Sequence, residues 1–279
     1  MPQSVPADLL EIAEALVPDA PLGSARLAEQ GNMHHVVLLP DVAAVRISKR
    51  PLAAAELPRR VAVLRAVAAA GLPFAVPVPL SDVTMFGERA AVAISWIGGA
   101  GLPQGVGDPM AFGPLLEALR EVPISPELAA VLHTPSRHAD GLGWADILTE
   151  EVVPRLPARW RDGVRQRLDV LLAMEEVPAR LVHGDLGGGN IHFDGDGKLV
   201  GVVDWDLAIL SDPAIDAALV ATWHGWDLLR VAADEQTHRR AWTWNDVVGV
   251  EHLHAVFTGR PLVSVDGFVR AVVDWLERG

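Results

Sequence analysis

The chain has 279 residues, half of them hydrophobic, and it contains no cysteine. That length and apolar content suffice for one large or two modest folded domains, so a chain disordered throughout is excluded. The lack of cysteine excludes disulfides, thiolate metal sites, iron–sulfur clusters and cysteine nucleophiles. The first residues lack a cationic start followed by an apolar run, and no later segment is long and apolar enough to span a membrane, so a soluble cytoplasmic protein is predicted.

The formal net charge of −13 argues against a nucleic-acid partner, because phosphate backbones are bound by clustered Lys and Arg. The charge is uneven: residues 1–97 hold nine acidic and eight basic side chains, whereas residues 98–279 hold 27 and 15. A region of one sign attracts ligands of the opposite sign, although it is also typical of a plain solvated surface. No membrane partner is predicted, and the sequence specifies no oligomeric state.

The first third of the chain combines helices with short strands. Apolar residues at helical spacing predict a helix over 7–17, and three short strands follow within residues 25–47. A helix is predicted over 53–70 and an apolar strand over 90–97. The run Gly98-Gly99-Ala100-Gly101 is the strongest linker signal, which predicts a domain boundary there.

Helical patterns dominate after this linker. Two short apolar strands, 180–182 and 199–203, enclose a polar loop, and the other segments are predicted helices: 110–122, 126–133, 144–153, 160–176, 215–222, 227–231, 245–257 and 267–277. Strands first and helices after predict an α+β protein. Its β-rich N-terminal lobe is predicted over 1–97 and its larger, mostly helical C-terminal lobe over 98–279.

The polar loop and the strand after it carry the chemistry. Asn190 follows Asp185 by five residues, and Asp204 follows fourteen residues later at the end of a predicted strand. Phosphoryl transfer to an alcohol uses a carboxylate that orients the hydroxyl and accepts its proton, an amide oxygen for Mg²⁺, and a carboxylate that links the metal to the nucleotide phosphates. These three residues supply one of each.

Single members of this set also have simpler interpretations. A buried His183 that holds the loop backbone is favoured over a catalytic His183. Asp204 alone would fit a strand-end cap, and a lone Asp in a glycine-rich loop is usually a turn residue. The run Asp194-Gly195-Asp196-Gly197 resembles the start of a calcium-binding loop, but it lacks a Glu at the twelfth position and predicts a hairpin turn. The ordered set, and not any one member, indicates phosphoryl transfer.

The motif from His183 to Asn190, followed by Asp204-Trp205-Asp206 and Asp212-Pro213-Ala214-Ile215-Asp216, closely resembles the aminoglycoside phosphotransferase and choline kinase-like family. The resemblance covers roughly the whole chain and implies a bilobal protein-kinase-like fold. It implies that Asp185 is the catalytic base, that Asn190 and Asp204 bind Mg²⁺, and that ATP or GTP is the phosphate donor. It also implies a hinge over 94–97, whose backbone at Ser95 and Ile97 meets the nucleotide base, and structural roles for Asp212 and Asp216.

Two subgroups of that family have local similarity to the chain. Residues 29–37, 182–188 and 201–206 are similar to the viomycin and capreomycin phosphotransferases, which phosphorylate a hydroxyl of cationic cyclic-peptide antibiotics, whereas 72–77 and 122–125 resemble macrolide phosphotransferases. The first similarity and the acidic region favour a hydroxylated cationic peptide antibiotic as acceptor, and hence antibiotic resistance. The alternatives are a macrolide or aminoglycoside phosphotransferase, a small-metabolite alcohol kinase, and a catalytically silent nucleotide-binding module.

The nucleotide-binding residues depart from the family pattern. The loop at Gly31 and Asn32 has one glycine, so on its own it is a weak phosphate signal. Arg46 occupies the strand position of the phosphate-binding Lys, and Lys49 follows three residues later. A guanidinium matches phosphate oxygens, so Arg46 is predicted to bind the phosphates; Lys49 is the alternative ligand.

The strand register bears on the choice of Arg46. Val45 and Ile47 alternate with it and are predicted to fill the opposite face. Arg60 stands where the family has a helix Glu that pairs with the Lys, and Glu56 lies one turn earlier, so the usual pair is in doubt. Solvated surface charges are the other interpretation of Arg46 and Arg60.

The acceptor contacts are predicted from position alone: Asp227, Asp234 and Glu235. Four tryptophans nearby, Trp223, Trp226, Trp242 and Trp244, are favoured as core residues, with an apolar pocket as the alternative.

Overall fold

The structure, a computed structural model, describes residues 5–28, 33–132, 144–257 and 274–277, and for residues 248–257 it describes the backbone alone. The chain forms two compact units, each assembled from separate segments. The first comprises Met1–Leu102, Ser125–Val131 and Gly189–Asp206, and the second Pro103–Ile124, Leu132–Gly188 and Leu207–Gly279. Neither unit is continuous in sequence, and the contiguous division into 1–97 and 98–279 stays a prediction.

The described strands, in chain order, are β1 (Arg26–Leu27), β2 (His34–Leu39), β3 (Ala43–Ser48), β4 (Thr84–Phe86), β5 (Arg89–Ser95), β6 (Arg180–Val182), β7 (Ile191–Phe193), β8 (Leu199–Val202) and β9 (Ile209–Ser211). The described helices are α1 (Ala7–Leu16), α2 (Pro51–Ala68), α3 (Pro109–Arg120), α4 (Pro126–Val131), α5 (Trp144–Ile147), α6 (Ala158–Leu172), α7 (Ala214–His224), α8 (Trp226–Ala232) and α9 (Glu235–Phe257). A wider helical turn, Leu148–Val152, continues α5.

The first unit is built on a five-stranded antiparallel sheet in the order β1-β2-β3-β5-β4. Alternate residues of β2 and β3 point to one face, where Val37, Val45 and Ile47 pack against Leu9 and the rest of α1 as a closed apolar core. Burying this set removes branched side chains from water, which is the main force that fixes the strand register. Arg46 therefore lies on the other face of β3.

The first unit also contains the hairpin of β7 and β8, in which Ile191 pairs with Val202. At its turn the Asp194 carboxylate accepts hydrogen bonds from the amides of Asp196 (3.0 Å) and Lys198 (2.9 Å). Both oxygen-to-amide contacts are local turn contacts. The predicted hairpin turn is confirmed, and the calcium-loop interpretation is excluded.

The second unit is mostly helical. The strands β6 and β9 pair as a short antiparallel ladder in which Val182 faces Ile209. Helix α7 presents small side chains, Ala214, Ala217, Ala218 and Ala221, which let α9 pack closely against it. The ladder and the start of α7 hold the loop that follows β6.

Most of the predicted elements are confirmed, with differences at short strands and at one helix start. Strands β4, β7 and β9 are each three residues long and were not predicted. Helix α9 begins at Glu235, ten residues before the predicted start, because Asp234 caps it. Most of the predicted helix over 267–277 lies outside the described residues. Within the described part of the chain, every helix is too short or too polar to traverse a bilayer.

Candidate active site

The loop after β6 is held by one buried carboxylate. Asp216, 2% exposed in the first turn of α7, accepts hydrogen bonds from the backbone amides of His183 (2.7 Å) and Gly184 (3.0 Å). A buried carboxylate is stable when several N–H donors satisfy it, and the two bonds fix the direction of the chain on entering the loop. The structural role that the family resemblance implied for Asp216 fits these contacts.

Gly184 is required at its position for two reasons. Its φ of 82° lies in the left-handed region, and a Cβ there would collide with the carbonyl oxygen of Leu207. Two positions later, Leu186 is fully buried. The loop is thus anchored on both sides of Asp185, and Asp185 itself is exposed.

His183 is fully buried, and its Nδ1 accepts a hydrogen bond from the backbone amide of Asp185 at 3.2 Å. Because Nδ1 is the acceptor, the ring proton of the neutral imidazole is on Nε2. The contact supports the predicted role of His183 as a residue that holds the loop backbone.

Asn190 and Asp204 lie at the open end of the β7–β8 hairpin, within the first unit. The carbonyl of Asn190 accepts a hydrogen bond from the amide of Val203 at 2.9 Å, which joins the two chain segments just beyond the last strand pair. Asp204 has a φ of 59°, one of two left-handed non-glycine residues in the described part of the chain, and its side chain is 51% exposed. Such a conformation is uncommon for a residue with a side chain, and Asp adopts it more readily than most.

Arg46 is buried in the first unit, at 7% exposed, and pairs with Asp206. Its Nη1 donates to Oδ1 at 2.8 Å and its Nη2 donates to Oδ2. Arg60, from α2, also donates to Oδ2 of Asp206. The interpretation of Arg46 and Arg60 as solvated surface charges is therefore wrong, because a carboxylate 160 and 146 residues away covers both.

The charges in this cluster stabilise one another. Burial alone would raise the pKa of Asp206, but the charges of Arg46 and Arg60 hold it well below its usual range. Burial likewise opposes the charged form of Arg46 and would lower its pKa. The charge and hydrogen bonds of Asp206 outweigh this effect, so the pKa of Arg46 is raised. His34, whose Nδ1 accepts from Arg46 Nη2 at 3.2 Å, stays neutral because burial and the Arg46 charge lower its pKa to about 3.

Lys49 lies on the opposite side of β3 from Arg46. It follows the strand on the face of Val45 and Ile47, and it lines a shallow surface depression with Asp8 and Glu11 of α1. Glu56, the other acid considered for the usual pair, bonds Arg59 at 3.1 Å. The predicted ligands Gly31 and Asn32 lie outside the described residues.

The predicted hinge is tied to neighbouring chain in the first unit. The amide of Ser95 donates to the carbonyl of Val78 at 2.8 Å, and its hydroxyl accepts from the amide of Val78 at 2.9 Å. His192 Nδ1 lies 3.0 Å from the carbonyl oxygen of Gly98 and 3.3 Å from that of Ile97. Carbonyl oxygens only accept, so this nitrogen carries a proton and fixes the hinge backbone.

The three predicted substrate acids, all in the second unit, have exposed side chains. Asp234 accepts from the amide of Thr237 at 2.7 Å as the N-cap of α9, and Glu235 pairs with Arg239 at 2.6 Å. Asp227 lies in the first turn of α8. The substrate role of all three stays a prediction.

The four tryptophans divide between interior and surface. Trp244 donates to Asp212 Oδ2 at 2.8 Å, and Arg240 pairs with the same carboxylate, which supports the structural role expected of Asp212. Trp242 is 54% exposed and meets Trp226 edge to face, with ring centroids 4.7 Å apart. Trp223 is 37% exposed, and its ring lies 3.6 Å from where a Cβ of Gly188 would stand. Trp223 therefore borders the loop that carries Asp185.

Comparison with known proteins decides the class. A family model described as the phosphotransferase enzyme family (APH) matches residues 26–247, which include the loop, the hairpin and the arginine cluster. The chain belongs to this family. The predicted enzyme class, a phosphotransferase, is confirmed.

Relatives of this phosphotransferase are found in sequence and in structure. The viomycin phosphotransferase of Streptomyces vinaceus is 32% identical over 235 residues, 78% of this chain and 80% of that protein. The GDP and kanamycin complex of APH(2")-IIia has a TM-score of 0.78 at 17% identity over 98% of each chain. The apoenzyme structure of the macrolide 2'-phosphotransferase MphH from Brachybacterium faecium has a TM-score of 0.72 at 19% identity over 96% of each chain. These structures confirm the predicted α+β class.

The phosphotransferase has donor chemistry that suits a magnesium ion. Asn190 and Asp204 offer an amide and a carboxylate oxygen, the hard donors that Mg²⁺ takes. Among the described residues, no group of three or more His, Asp or Glu is arranged as a metal site. This is compatible with Mg²⁺, which is usually held by one or two carboxylates together with substrate phosphates.

Arg46→Ala is expected to lower kcat/KM for the nucleotide by about ten- to hundred-fold, the effect of losing charged hydrogen bonds of roughly 1.5–3 kcal/mol. Lys49→Ala is expected to change it little, because Lys49 is on the α1 face of β3. Initial-rate kinetics with varied nucleotide measure both variants. Damage by Lys49→Ala alone would show that Lys49, and not Arg46, binds the phosphates.

Proposed function

We propose that the protein transfers the γ-phosphoryl group of a nucleoside triphosphate to a hydroxyl of a cationic peptide antibiotic of the capreomycin and viomycin type, and so confers resistance. The observation that carries the proposal is the loop of the second unit, where Asp216 fixes the backbone and leaves Asp185 exposed. A loop held in this way presents a carboxylate in a defined position, which is what general-base catalysis needs.

In the proposed reaction Asp185 orients the acceptor hydroxyl and accepts its proton. The hydroxyl oxygen forms a bond to the γ-phosphorus while the bond from that phosphorus to the β–γ bridging oxygen breaks, and the nucleoside diphosphate leaves with the electron pair. Little covalent chemistry falls to the protein, so positioning and charge stabilisation carry most of the rate.

Asn190 and Asp204 are the proposed Mg²⁺ ligands. The bound ion supplies charge neutralisation on the phosphate oxygens. The exposed carboxylate of Asp204 and the backbone bond that joins Asn190 to Val203 support this assignment, because both oxygen donors belong to the same end of one hairpin.

The proposed nucleotide ligands are Arg46, with Lys49 as the alternative, Gly31 and Asn32 for the phosphates, and the hinge at Ser95 and Ile97 for the base. Structures of similar fold have been solved with GDP and with ATP, so we propose ATP or GTP as the phosphate donor. Because the amide of Ser95 already donates to Val78, we propose that Ile97 is the main hinge contact of the base. We propose a cytoplasmic location, because the reaction draws on a nucleoside triphosphate.

The acceptor class is supported by the viomycin phosphotransferase relative and by charge. Residues 98–279 carry nearly all of the excess acid, which attracts a cationic acceptor. Asp227, Asp234 and Glu235 are the proposed acceptor contacts. Since Asp234 and Glu235 also have local partners in α9, Asp227 is the first of the three to test.

A panel assay is expected to show highest kcat/KM with capreomycin and viomycin. Phosphate transfer from ATP and from GTP is measured to these two, to aminoglycosides, to a macrolide and to choline, at rising salt. For a cationic acceptor kcat/KM falls as salt screens the acidic surface, since the screening length shortens from about 10 Å at 0.1 M to about 3 Å at 1 M. Asp227→Asn is expected to raise KM for the acceptor and to leave KM for the nucleotide unchanged.

The same panel separates the alternatives. Exclusive activity on a macrolide without salt dependence would contradict the cationic acceptor. Nucleotide binding without transfer to any alcohol would indicate a silent nucleotide-binding module and contradict the proposed reaction.

A further inference from the structure

A buried cluster in the first unit places two arginines on one carboxylate. Asp206 accepts hydrogen bonds from Nη1 and Nη2 of Arg46 and from Nη1 of Arg60. The side chains are 14% exposed for Asp206, 9% for Arg46 and 12% for Arg60. The second carboxylate near Arg46 is Asp204, with Oδ1 3.8 Å from Nη2, and its side chain is half exposed. The described cluster therefore has one more cation than buried anion.

A buried excess of positive charge is unfavourable unless another anion completes it. Asp204 is unsuited to that role, because its carboxylate is proposed to bind Mg²⁺. A phosphate group would complete the cluster, since guanidinium forks match its oxygens. Asp206 and His34 use three of the five N–H groups of Arg46, so the guanidinium can hold both and still donate to a ligand.

We propose that Asp206 and Arg60 are positioning residues for the nucleotide phosphates: Asp206 holds the Arg46 guanidinium in one orientation, and Arg60 offsets the charge of Asp206 so that the positive charge of Arg46 acts on the phosphate. The inference rests on the proposed function, in which Arg46 binds the phosphates. In this family a helix Glu usually pairs with the phosphate-binding Lys, and here Asp206 would take the role of that Glu. This explains why an arginine is acceptable at position 60.

The number of bonds makes the two arginines unequal. Arg46 uses two nitrogens on Asp206, a geometry that an ammonium cannot reproduce, whereas Arg60 uses one. Arg46→Lys is therefore expected to be damaging and Arg60→Lys to be tolerated.

The direction in which Asp206→Asn changes nucleotide affinity distinguishes a positioning role of Asp206 from a purely coulombic one. Asp206→Asn removes a negative charge beside the phosphates, so a purely coulombic role for Asp206 predicts tighter nucleotide binding. If Asp206 positions Arg46, the same variant binds the triphosphate more weakly, because the fork is no longer held.

The test is titration calorimetry of the intact protein with ATP, ADP, AMP and adenosine in the presence of Mg²⁺. Asp206→Asn and Arg46→Lys are expected to weaken ATP binding about ten- to hundred-fold with adenosine unchanged, whereas Arg60→Lys and Asp206→Glu keep most of the ATP affinity. Glu56→Gln is the matched control, because it removes the carboxylate that pairs with the neighbouring Arg59 on α2. It should leave the affinity for all four ligands unchanged. Thermal unfolding of each variant shows that it is folded.

Different results overturn different steps. Tighter or unchanged ATP binding by Asp206→Asn, or an equal loss for ATP and adenosine, would overturn the positioning role. Equal damage by Arg46→Lys and Arg60→Lys would overturn it as well, and this comparison holds even if Asp206→Asn does not fold. If the wild-type protein bound ATP no more tightly than adenosine, the phosphate role of Arg46 would itself be wrong, and the inference with it.

Discussion

Replacing Asp185 by Asn is expected to lower turnover by about 10²–10⁴-fold, the usual contribution of a general base, with nucleotide affinity unchanged. Asn has the same shape but does not accept the hydroxyl proton. The loop itself should persist, because the amides of His183 and Gly184 are held by Asp216 and not by Asp185. The loss should therefore appear in kcat and leave KM for the nucleotide intact.

Steady-state kinetics on the preferred acceptor of the panel measure this variant. Asp162→Asn is the matched control, since its carboxylate is fully exposed on α6 in the same unit, and it should behave as the wild type. An Asp185→Asn protein that keeps full turnover would show that another group removes the proton, and the assignment of the base would be wrong.

The chemistry could be predicted from the sequence because it depends on residue types in a fixed local order. Asp185, Asn190 and Asp204 fall within twenty residues, and the apolar strands around them are short but distinct. The burial of His183 was predictable for the same reason, since a histidine between an apolar strand and a glycine has little access to water. The register of β3 followed from the alternation of Val45 and Ile47.

The arginine cluster could not be predicted, because its members are brought together by the fold. Asp206 is 160 residues from Arg46 and 146 from Arg60, and no local pattern joins them. One signal was present: an acid two residues after Asp204, together with two arginines where a Lys and a Glu are usual. Asp206 is the acid that pairs with both of these arginines.

The other differences arise where local patterns are weak. Helix α9 begins with a polar segment, so periodicity alone found its apolar second half, while the cap at Asp234 sets its start. Strands β7 and β9 are three residues long, below the length at which alternation is visible. The link from His192 to the carbonyls of Ile97 and Gly98 likewise depends on a hairpin that the sequence showed only in part.

Asp216→Asn is expected to damage stability and activity together. The carboxylate accepts one backbone N–H on each oxygen, from His183 and Gly184. An amide offers one oxygen and would turn an NH₂ group toward a backbone N–H, which leaves buried donors unpaired. Losing a buried charged hydrogen bond costs roughly 1.5–3 kcal/mol, and a displaced loop lowers turnover by about 10²-fold because Asp185 is no longer in place.

Thermal unfolding and kinetics of Asp216→Asn beside Asp185→Asn separate support of the loop from the chemistry on it. The midpoint of Asp216→Asn is expected to fall by roughly 3–12 °C, at about 2–4 °C per kcal/mol for a chain of this size, whereas Asp185→Asn should unfold like the wild type. Gly184→Ala is expected to destabilise the same loop, because the added Cβ would collide with the Leu207 carbonyl and the φ of 82° is strained for alanine. If both loop variants kept full stability and turnover, the Asp216 contacts would not be what holds Asp185, and the loop would have to be fixed by the burial of Leu186 alone.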